Sequence, residues 1–515
     1  MSTFSLSWQP CGHGADPAGD PVGCRGVHVR GHTVCLAHLT DSERTAYLTG
    51  LAPGADIDHS GTPFTQDLLE ALLNALHDPS TGKPHLGRSL FIEAQFFGDA
   101  RFIGAQFSGD AWFIGAQFFG DARFSNTQFS GDARFVEAQF SARAMFVGAQ
   151  FSSDVRFYEA QFSAIAVFVD AQFSRDAIFH RAQFSGDAKF DRAQFESVPE
   201  LGPLVCAGQV VLSGAVFVLP LTLEIAAREV VCERTRWEST ATVRVRYAAV
   251  DLSHAVLTAP AAVITHPAPF TFAGSAVRED LLTGSGLRPR SGDRVRIVSV
   301  QGVDAAHLVL TDTDLSDCLF SGAFHLDQIR LEGRTTFAPA PTGRHRRGIW
   351  PVNFTRRRVL AEEHHWRART AGQPALSPGE DPDPNRWRPI PHHTDPARIP
   401  DPESVATLYR QLRKAFEDGK NEPGAADFYY GECEMRRHDL TGTPKYERRL
   451  LRGYWLLSGY GLRALRAFIS LLAKVKGAGW VMTSTPSSRS PNPSDRSTPI
   501  LSGLRPPSVI AVPRS

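Results

Sequence analysis

Cysteine is scarce in this 515-residue chain: seven residues, an odd number, scattered along its length. That excludes the dense disulfide framework of small secreted domains and leaves reduced thiols or a metal site as their use. Charge of one sign is lacking too. The 55 basic and 54 acidic residues leave a net charge of +1, which argues against nucleic acid as a partner of the whole chain. The opening, MSTFSLSWQPCGHG, has no basic segment leading into an apolar core. No signal peptide is therefore expected, and the cytoplasm is the expected compartment. An apolar run free of charge is also missing. The nearest, Tyr454 to Ala473, is interrupted by Arg463 and Arg466, and each arginine costs about 2.5–3.5 kcal/mol at a bilayer centre.

What is abundant is phenylalanine. Between Phe91 and Phe195 it recurs in steps that alternate strictly, five residues then six. Two residues before each Phe stands a small residue, Ala except at Ser89, Thr127 and Val155. The phrase is clearest at 105–115, AQFSGDAWFIG. At about 100° per residue, such steps would scatter the rings around a helix. In a strand, residues i−2 and i share one side. Each unit is therefore read as a short strand with a corner, its Ala and Phe inward, and Ser-Gly-Asp supplies turn chemistry. Each buried Phe contributes about 1.5–3 kcal/mol before chain entropy is counted.

These residues resemble the pentapeptide-repeat family, in which a small residue at i−2 and Leu or Phe at i build a four-sided helix of strands. The resemblance implies a mainly β fold, a right-handed quadrilateral parallel β-helix, here with a small N-terminal module and C-terminal α-helices. The departure is one added residue on alternate faces, the Asp of SGDA, so four faces take about 22 residues. Residues 91–195 then make about five coils at about 4.8 Å each. After Phe195 the phrase breaks, but five-then-six steps return. Leu212, Phe217 and Leu223 show them, then Cys232, Trp237 and Val243, then Leu252, Leu257 and Val263. They return again at Leu310, Leu315, Phe320, Leu326, Leu331 and Phe337, with Cys318 and Thr335 at inward i−2 positions. Cys206, Cys232 and Cys318 are read as core residues. The solenoid is expected over 85–338, regular at 89–195 and irregular at 206–338, with an excursion at 264–300.

Ahead of it, residues 1–60 form a module with candidate zinc ligands Cys11, Cys24, Cys35 and His38, and His13, His28 and His32 as alternates. Cys35-x-x-His38 is a usual half-site spacing, and Cys11 and Cys24 lie in Gly/Pro-rich loops able to bend round a tetrahedral ion. The region has too few large apolar residues for a core of its own, so a structural zinc would help it fold. Thr40 with Glu43 reads as a helix-opening capping box. Residues 56–59, Asp-Ile-Asp-His, read as a loop. Thr62-Pro63 is read as opening a helix with a leucine stripe, Leu68, Leu69, Leu72, Leu73 and Leu76, that caps the solenoid's open end within 61–84.

Residues 339–400 read as a basic, Pro-rich linker. Arg344 to Arg347, Arg356 to Arg358 and Arg367 form a basic patch, either for an anionic partner or simply solvated. Glu362-Glu363-His364-His365 lies on a helix whose geometry disfavours a shared metal. Residues 401–440 read as a helical hairpin with the stripe Val405, Leu408, Leu412 and Phe416. Its Ala425-x-x-Phe428-Tyr429 spacing resembles a single tetratricopeptide-type unit, which must pack on a neighbour. Residues 446–476 read as an amphipathic, membrane-proximal helix, and the pairing of hairpin and apolar stretch resembles large bacterial pentapeptide-repeat proteins with a membrane-linked C-terminal region. Residues 477–515 are Ser/Pro-rich and expected to be disordered.

The function expected is a non-catalytic scaffold for protein–protein interaction, placed in the cytoplasm with the inner membrane surface as a candidate site. The partner is not named by the sequence, and the family resemblance also allows a homodimer. Two alternatives make different demands on the residues. A DNA-mimicking, gyrase-interacting protein needs a strongly negative surface, but residues 85–195 carry ten basic and twelve acidic side chains. A β-helix enzyme needs a clustered acid, base and Lys/Arg constellation, and none stands out.

Overall fold

The computed structural model describes residues 8–16, 19–284, 294–341, 344–347, 350–353, 357–376, 383–389, 400–462 and 468. Two-residue strands between residues 89 and 195 stack in parallel register with a constant offset. Phe96 pairs with Phe118, and Phe118 with Phe140, on one face. Ala100, Ala122 and Ala144 align on the next. Phe107, Phe129 and Phe151 align on the third, and Ala111, Ala133 and Val155 on the fourth. The offset is 22 residues, visible in the amide ladders Gln95 to Gln117 and Gln106 to Gln128. The fold is a mainly β, four-faced parallel solenoid.

Its interior is a set of phenylalanine columns. Phe118 lies over Phe140 with ring centroids 4.8 Å apart and planes 1° off parallel. Phe113 lies over Phe135 at 5.0 Å and 2°. Neighbouring columns meet edge to face, as Phe113 and Phe124 do at 5.4 Å and 81°. Offset stacks and edge-to-face contacts are the arrangements the ring quadrupole favours. Small residues at i−2 make room for the rings, and Ala94 through Ala193 are buried among them.

The two kinds of corner have different chemistry. In the five-residue steps, every eleventh residue from Glu93 to Arg192 takes a left-handed conformation, Glu137 at φ 56° and Gly148 at φ 63°. In the six-residue steps the inserted Asp99, Asp110, Asp121 and Asp187 each accept an amide from the coil 22 residues on. Asp99 Oδ1 takes the Asp121 amide at 3.2 Å, and Asp121 Oδ1 takes the Arg143 amide at 3.3 Å. The aspartates therefore staple one corner to the next. Ser-Gly-Asp supplies a bend, as read from the sequence; the tight left-handed turn lies at the other corner.

Downstream the offset shortens to 20 residues, aligning Phe217, Trp237 and Leu257. Strands Glu200–Val211 and Leu221–Val231 are long and bulged. Cys206, Cys232 and Cys318 are fully buried. Burial pushes the Cys206 and Cys232 thiols up to about 12. The ladder resumes at Arg296–Ser299, which pairs with Ala249–Asp251, and Val263 pairs with Leu310. Leu331 and Thr335 are only half-buried. Between these strands the chain makes an arm. Phe270, Val277 and Leu282 cover Val205 and Ala226 on the outer face. Phe272 stacks on His180 at 4.4 Å, and Arg246 meets Glu279 at 2.7 Å.

The first coil begins earlier than the sequence suggested. Ile57–Asp58 is a strand paired with Ser89–Leu90, and Pro63–Phe64 is a strand paired with Gln95–Phe96. The stretch read as a loop is part of the ladder, because Ile57 and Phe64 are inward and buried. Helix α1, Asp41–Thr49, carries the Thr40–Glu43 capping box. Helix α2, Gln66–Ala75, starts at a Thr65 cap, later than Thr62, and buries Leu68, Leu69, Leu72 and Leu73. A short helix α3, Asp280–Gly284, lies in the arm.

Helix α4, Ala361–Thr370, follows the last coil. Its buried Glu362 accepts the Phe320 amide at 2.5 Å and the Ser321 amide at 3.1 Å. Helices α5, Pro402–Asp418, and α6, Glu422–His438, form a hairpin. Phe337 of the last coil packs against Phe416 and Phe428 of the hairpin, and Lys414 pairs with Asp327 at 2.7 Å. The hairpin thus finds its neighbour in the solenoid's C-terminal end.

Two expectations about the basic stretch change. Arg357 and Arg367 are not a solvated or ligand-facing patch but are turned inward. Arg357 meets Glu363 at 2.5 Å, Arg367 meets Glu363 at 2.6 Å and Glu434 at 3.1 Å. Burial alone would raise the Glu363 carboxyl, but the charges of Arg357 and Arg367 hold it well below the usual carboxylate range. Trp387, in the Pro-rich stretch, is buried with Ala340, Val359 and Ala368. The side chains of Arg344 to Arg347 and of Arg356 lie outside the described residues.

The expected membrane-linked C-terminal region is corrected. No described helix is long and apolar enough to cross a membrane. Helix α7, Lys445–Ser458, ends where Gly459, Tyr460 and Gly461 all take positive φ. Three successive left-handed residues stop an α-helix, so Tyr454 to Ala473 is not one continuous helix. Residues 477–515 lie outside the described residues.

Candidate metal centre

The N-terminal module folds around four side chains that the sequence spreads over 28 positions. Cys11 and Cys24 are brought together by facing loop backbones. Cys11 N donates to Gly26 O and Gly12 N to Cys24 O, each at 2.8 Å. Cys35 caps a 3-10 turn, Leu36–His38, which swings the His38 ring back over the Cys35 sulfur. The ligand atoms of Cys11, Cys24, Cys35 and His38 all lie within 4.8 Å of one another.

The shorter edges are informative. Cys24 Sγ to Cys35 Sγ is 3.7 Å, Cys35 Sγ to His38 Nδ1 is 3.3 Å, and Cys11 Sγ to His38 Nδ1 is 3.6 Å. A tetrahedral zinc with bonds of about 2.3 Å to sulfur and 2.0–2.1 Å to nitrogen has ligand–ligand edges of about 3.5–3.8 Å. Three thiols and one imidazole are also the soft, closed donor set of a structural site. Around it, the Gly26 amide points at Cys24 Sγ at 3.4 Å. His13 stacks on His38 with ring centroids 4.1 Å apart. The thiols are electrostatically unequal. The hydrogen bond from Cys35 draws the Cys24 thiol down to about 5, against burial and helped by the Gly26 amide. Its bond to Cys24, with burial, pushes Cys35 well up.

Of the alternates, His13 stays beside the cluster on His38 while His28 and His32 go elsewhere. His28 Nε2 meets Pro10 O at 3.1 Å, and His32 pairs with Glu43 at 3.6 Å. The Asp/His stretch at 56–59 is structural. Asp56 accepts the Arg88 amide, Asp58 accepts from Ser60, and buried His59 meets the Tyr47 hydroxyl at 3.3 Å. Sequence reasoning missed Gly26 and Gly61, whose lack of a side chain lets the module seat. Their only sequence signal was a glycine beside a ligand and a glycine beside the first strand.

The module covers the solenoid's first coil. Val29, Leu36 and Leu39 belong to the same apolar core as Phe64, Leu69 and the Phe columns. Val27 N donates to Ser60 O at 2.7 Å. The arrangement joins a potential metal-holding cluster to a structural end cap.

Comparison with known proteins adds one match. No curated protein and no solved structure matches the chain. The family described as "Pentapeptide repeats (9 copies)" matches residues 84–128 and 113–161, two overlapping stretches within the 22-residue coils. With the small residue at i−2, the inward Phe and the four ladders in place, this part of the chain is a pentapeptide-repeat solenoid.

Proposed function

We propose that the chain is a non-catalytic scaffold whose solenoid binds another protein through a lateral face, and that its Cys/His cluster holds a structural zinc. One observation carries the partner reading. Phe97 and Phe119 stand outside the ladder at the same corner of successive coils, 57% and 45% exposed. Their rings stack at 5.1 Å and 3°. Further along the same corner the coils carry Ser141, Ser163 and Ser185, so the fold does not require aromatics there. Exposed, pre-ordered aromatics are the residues that anchor protein interfaces. Arg101 and Glu70, 3.4 Å apart, give the neighbourhood a polar rim.

The charge pattern weighs against DNA mimicry. Arg123 sits 3.0 Å from Asp99 and 3.3 Å from Asp121, and Arg134 and Arg156 each meet the Asp two residues earlier. Four corner aspartates, Asp99, Asp121, Asp132 and Asp154, are neutralised in place. The thiols of the zinc reading require a reducing compartment, which supports the cytoplasm.

The test uses the full chain with Phe97→Ser and Phe119→Ser together, a change other coils already contain. Proximity labelling and cross-linking are compared with the parent. Specific partners cross-linked near residues 97–123 and lost in the double variant support the reading. Partners retained unchanged overturn the site, and no specific partner at all overturns the scaffold.

A further inference from the structure

The segment 24–27 has two neighbours at once. On one side it walls the thiol cluster. A Cβ added to Gly26 would lie 2.5 Å from Cys35 Cβ and 2.7 Å from its Sγ. On the other side it lies on the first coil. A Cβ added to Gly61 would lie 2.3 Å from Arg25 O and 2.7 Å from Arg25 C, and Val27 N is bonded to Ser60 O. The Trp8 indole clamps the same Arg25 carbonyl from outside at 2.8 Å. Beneath, His59 N and Gly61 N donate to Leu90 O and Ile92 O, at 2.8 and 2.7 Å, as any coil does to the next. One strip of backbone is therefore both the wall of the metal cluster and the lid of the solenoid.

Resting on the zinc reading above, we propose that the ion is a lock for the solenoid's N-terminal end. Bound zinc keeps segment 24–27 seated on the first coil, and loss of zinc releases residues 57–64 while the coils beyond stay folded. The locality follows from the architecture. An interior coil has a neighbour on each side, whereas a terminal coil has one neighbour and its cap. Among the described residues the cap has few apolar groups of its own, Val29, Leu36 and Leu39 being the buried ones beside the ligand Cys35, so closure of the ring of ligands decides whether it stays in place. The coupling is reciprocal. Whatever disturbs the seat on Gly61 must weaken zinc binding, although Gly61 touches no ligand side chain.

The experiment uses the full-length chain. Zinc content is measured per chain, then amide hydrogen exchange is followed by mass spectrometry with and without chelator. Peptides covering 24–29 and 57–64 are expected to exchange at least about tenfold faster without zinc, while those covering 111–160 keep their rates. A Gly61→Val chain, with every ligand intact, is expected to lose about tenfold in zinc affinity by competition with a chromophoric chelator. Stoichiometric zinc with unchanged exchange at 57–64, or unchanged affinity in Gly61→Val, overturns the lock and leaves the zinc site standing. Chelation that also unprotects 111–160 overturns the locality. Absence of bound zinc removes the site and the lock together.

Discussion

Tyr409 donates its hydroxyl to Glu363 at 2.6 Å in the interior of the C-terminal cap. The same oxygen accepts the Leu360 amide at 3.0 Å, so one side chain of the hairpin fixes both the start of α4 and its buried carboxylate. Glu363 balances Arg357 and Arg367. Its replacement by Gln strands the buried Arg357 guanidinium and takes from Arg367 one of its two carboxylates, Glu434 remaining, and is expected to cost about 3–5 kcal/mol. Tyr409→Phe removes a neutral hydroxyl, which donates to Glu363 and accepts from Leu360 N and Arg357 Nη1, and should cost less, about 1–3 kcal/mol. Urea unfolding followed by tryptophan fluorescence compares the two, and equal losses would refute the inward ion network.

The columns make a graded prediction. Phe135 lies between Phe113 and Phe157, both at 5.0 Å. Phe135→Ala opens a cavity facing two coils and should cost about 3–5 kcal/mol, with Leu in the same place costing distinctly less. Calorimetric melting of the variants tests this. A loss under about 1 kcal/mol for Ala would mean that the ring is not held from both sides.

Acid should loosen the two ends. Burial pulls His59 down to about 4 in the N-terminal coil and His364 down to about 3 in the C-terminal cap. Unfolded, each titrates near 6.5. Between pH 6.5 and about 4 the unfolded chain binds a proton that folded His59 refuses, so stability is full above about 6.5 and falls as pH falls, by about 1.4 kcal/mol per unit for each histidine. Urea midpoints at pH 7.5, 6 and 5 should decline. The His59→Leu, His364→Leu double variant should show a shallower decline, and an identical slope would discard the explanation.

The left-handed corners predict opposite signs for opposite changes. Glu137 holds φ 56° with a Cβ, and Gly115 holds φ 64° without one. Glu137→Gly relieves about 1 kcal/mol of backbone strain, and Gly115→Val adds strain of about that size or more. Melting temperatures should therefore move up for the first and down for the second. Movement in the same direction would contradict the corner assignment.

The sequence displayed its repeats openly because one interior position carries one residue type. Phe and the i−2 small residue are inward in every 22-residue coil, and their spacing, with the four faces that the family resemblance implies, led to the 22-residue turn; the same steps followed downstream led to the buried Cys206, Cys232 and Cys318. The Cys/His set was legible because few residue types serve a soft ion. The first coil was hidden because α2 occupies one of its faces, leaving Ile57 and Phe64 without a recurring phrase around them. Pro63 read as a helix start although it begins a strand. The buried arginines were illegible for another reason. Arg367 finds Glu434 across 67 residues of chain, and nothing local distinguishes it from the exposed Arg369. The arm was invisible as an arm because its landing site, Val205 and Ala226, stands where other coils carry the outward Gln of the amide ladder.

The constant 22-residue register makes length a countable quantity. Gln117, Gln139 and Gln161 are equivalent positions in successive coils. Removing or duplicating one such unit would rejoin ladder to ladder and leave both end caps with the same partners. The solenoid between its caps is thus graduated in whole steps of about 4.8 Å, so that a tandem duplication can lengthen it without disturbing either terminus.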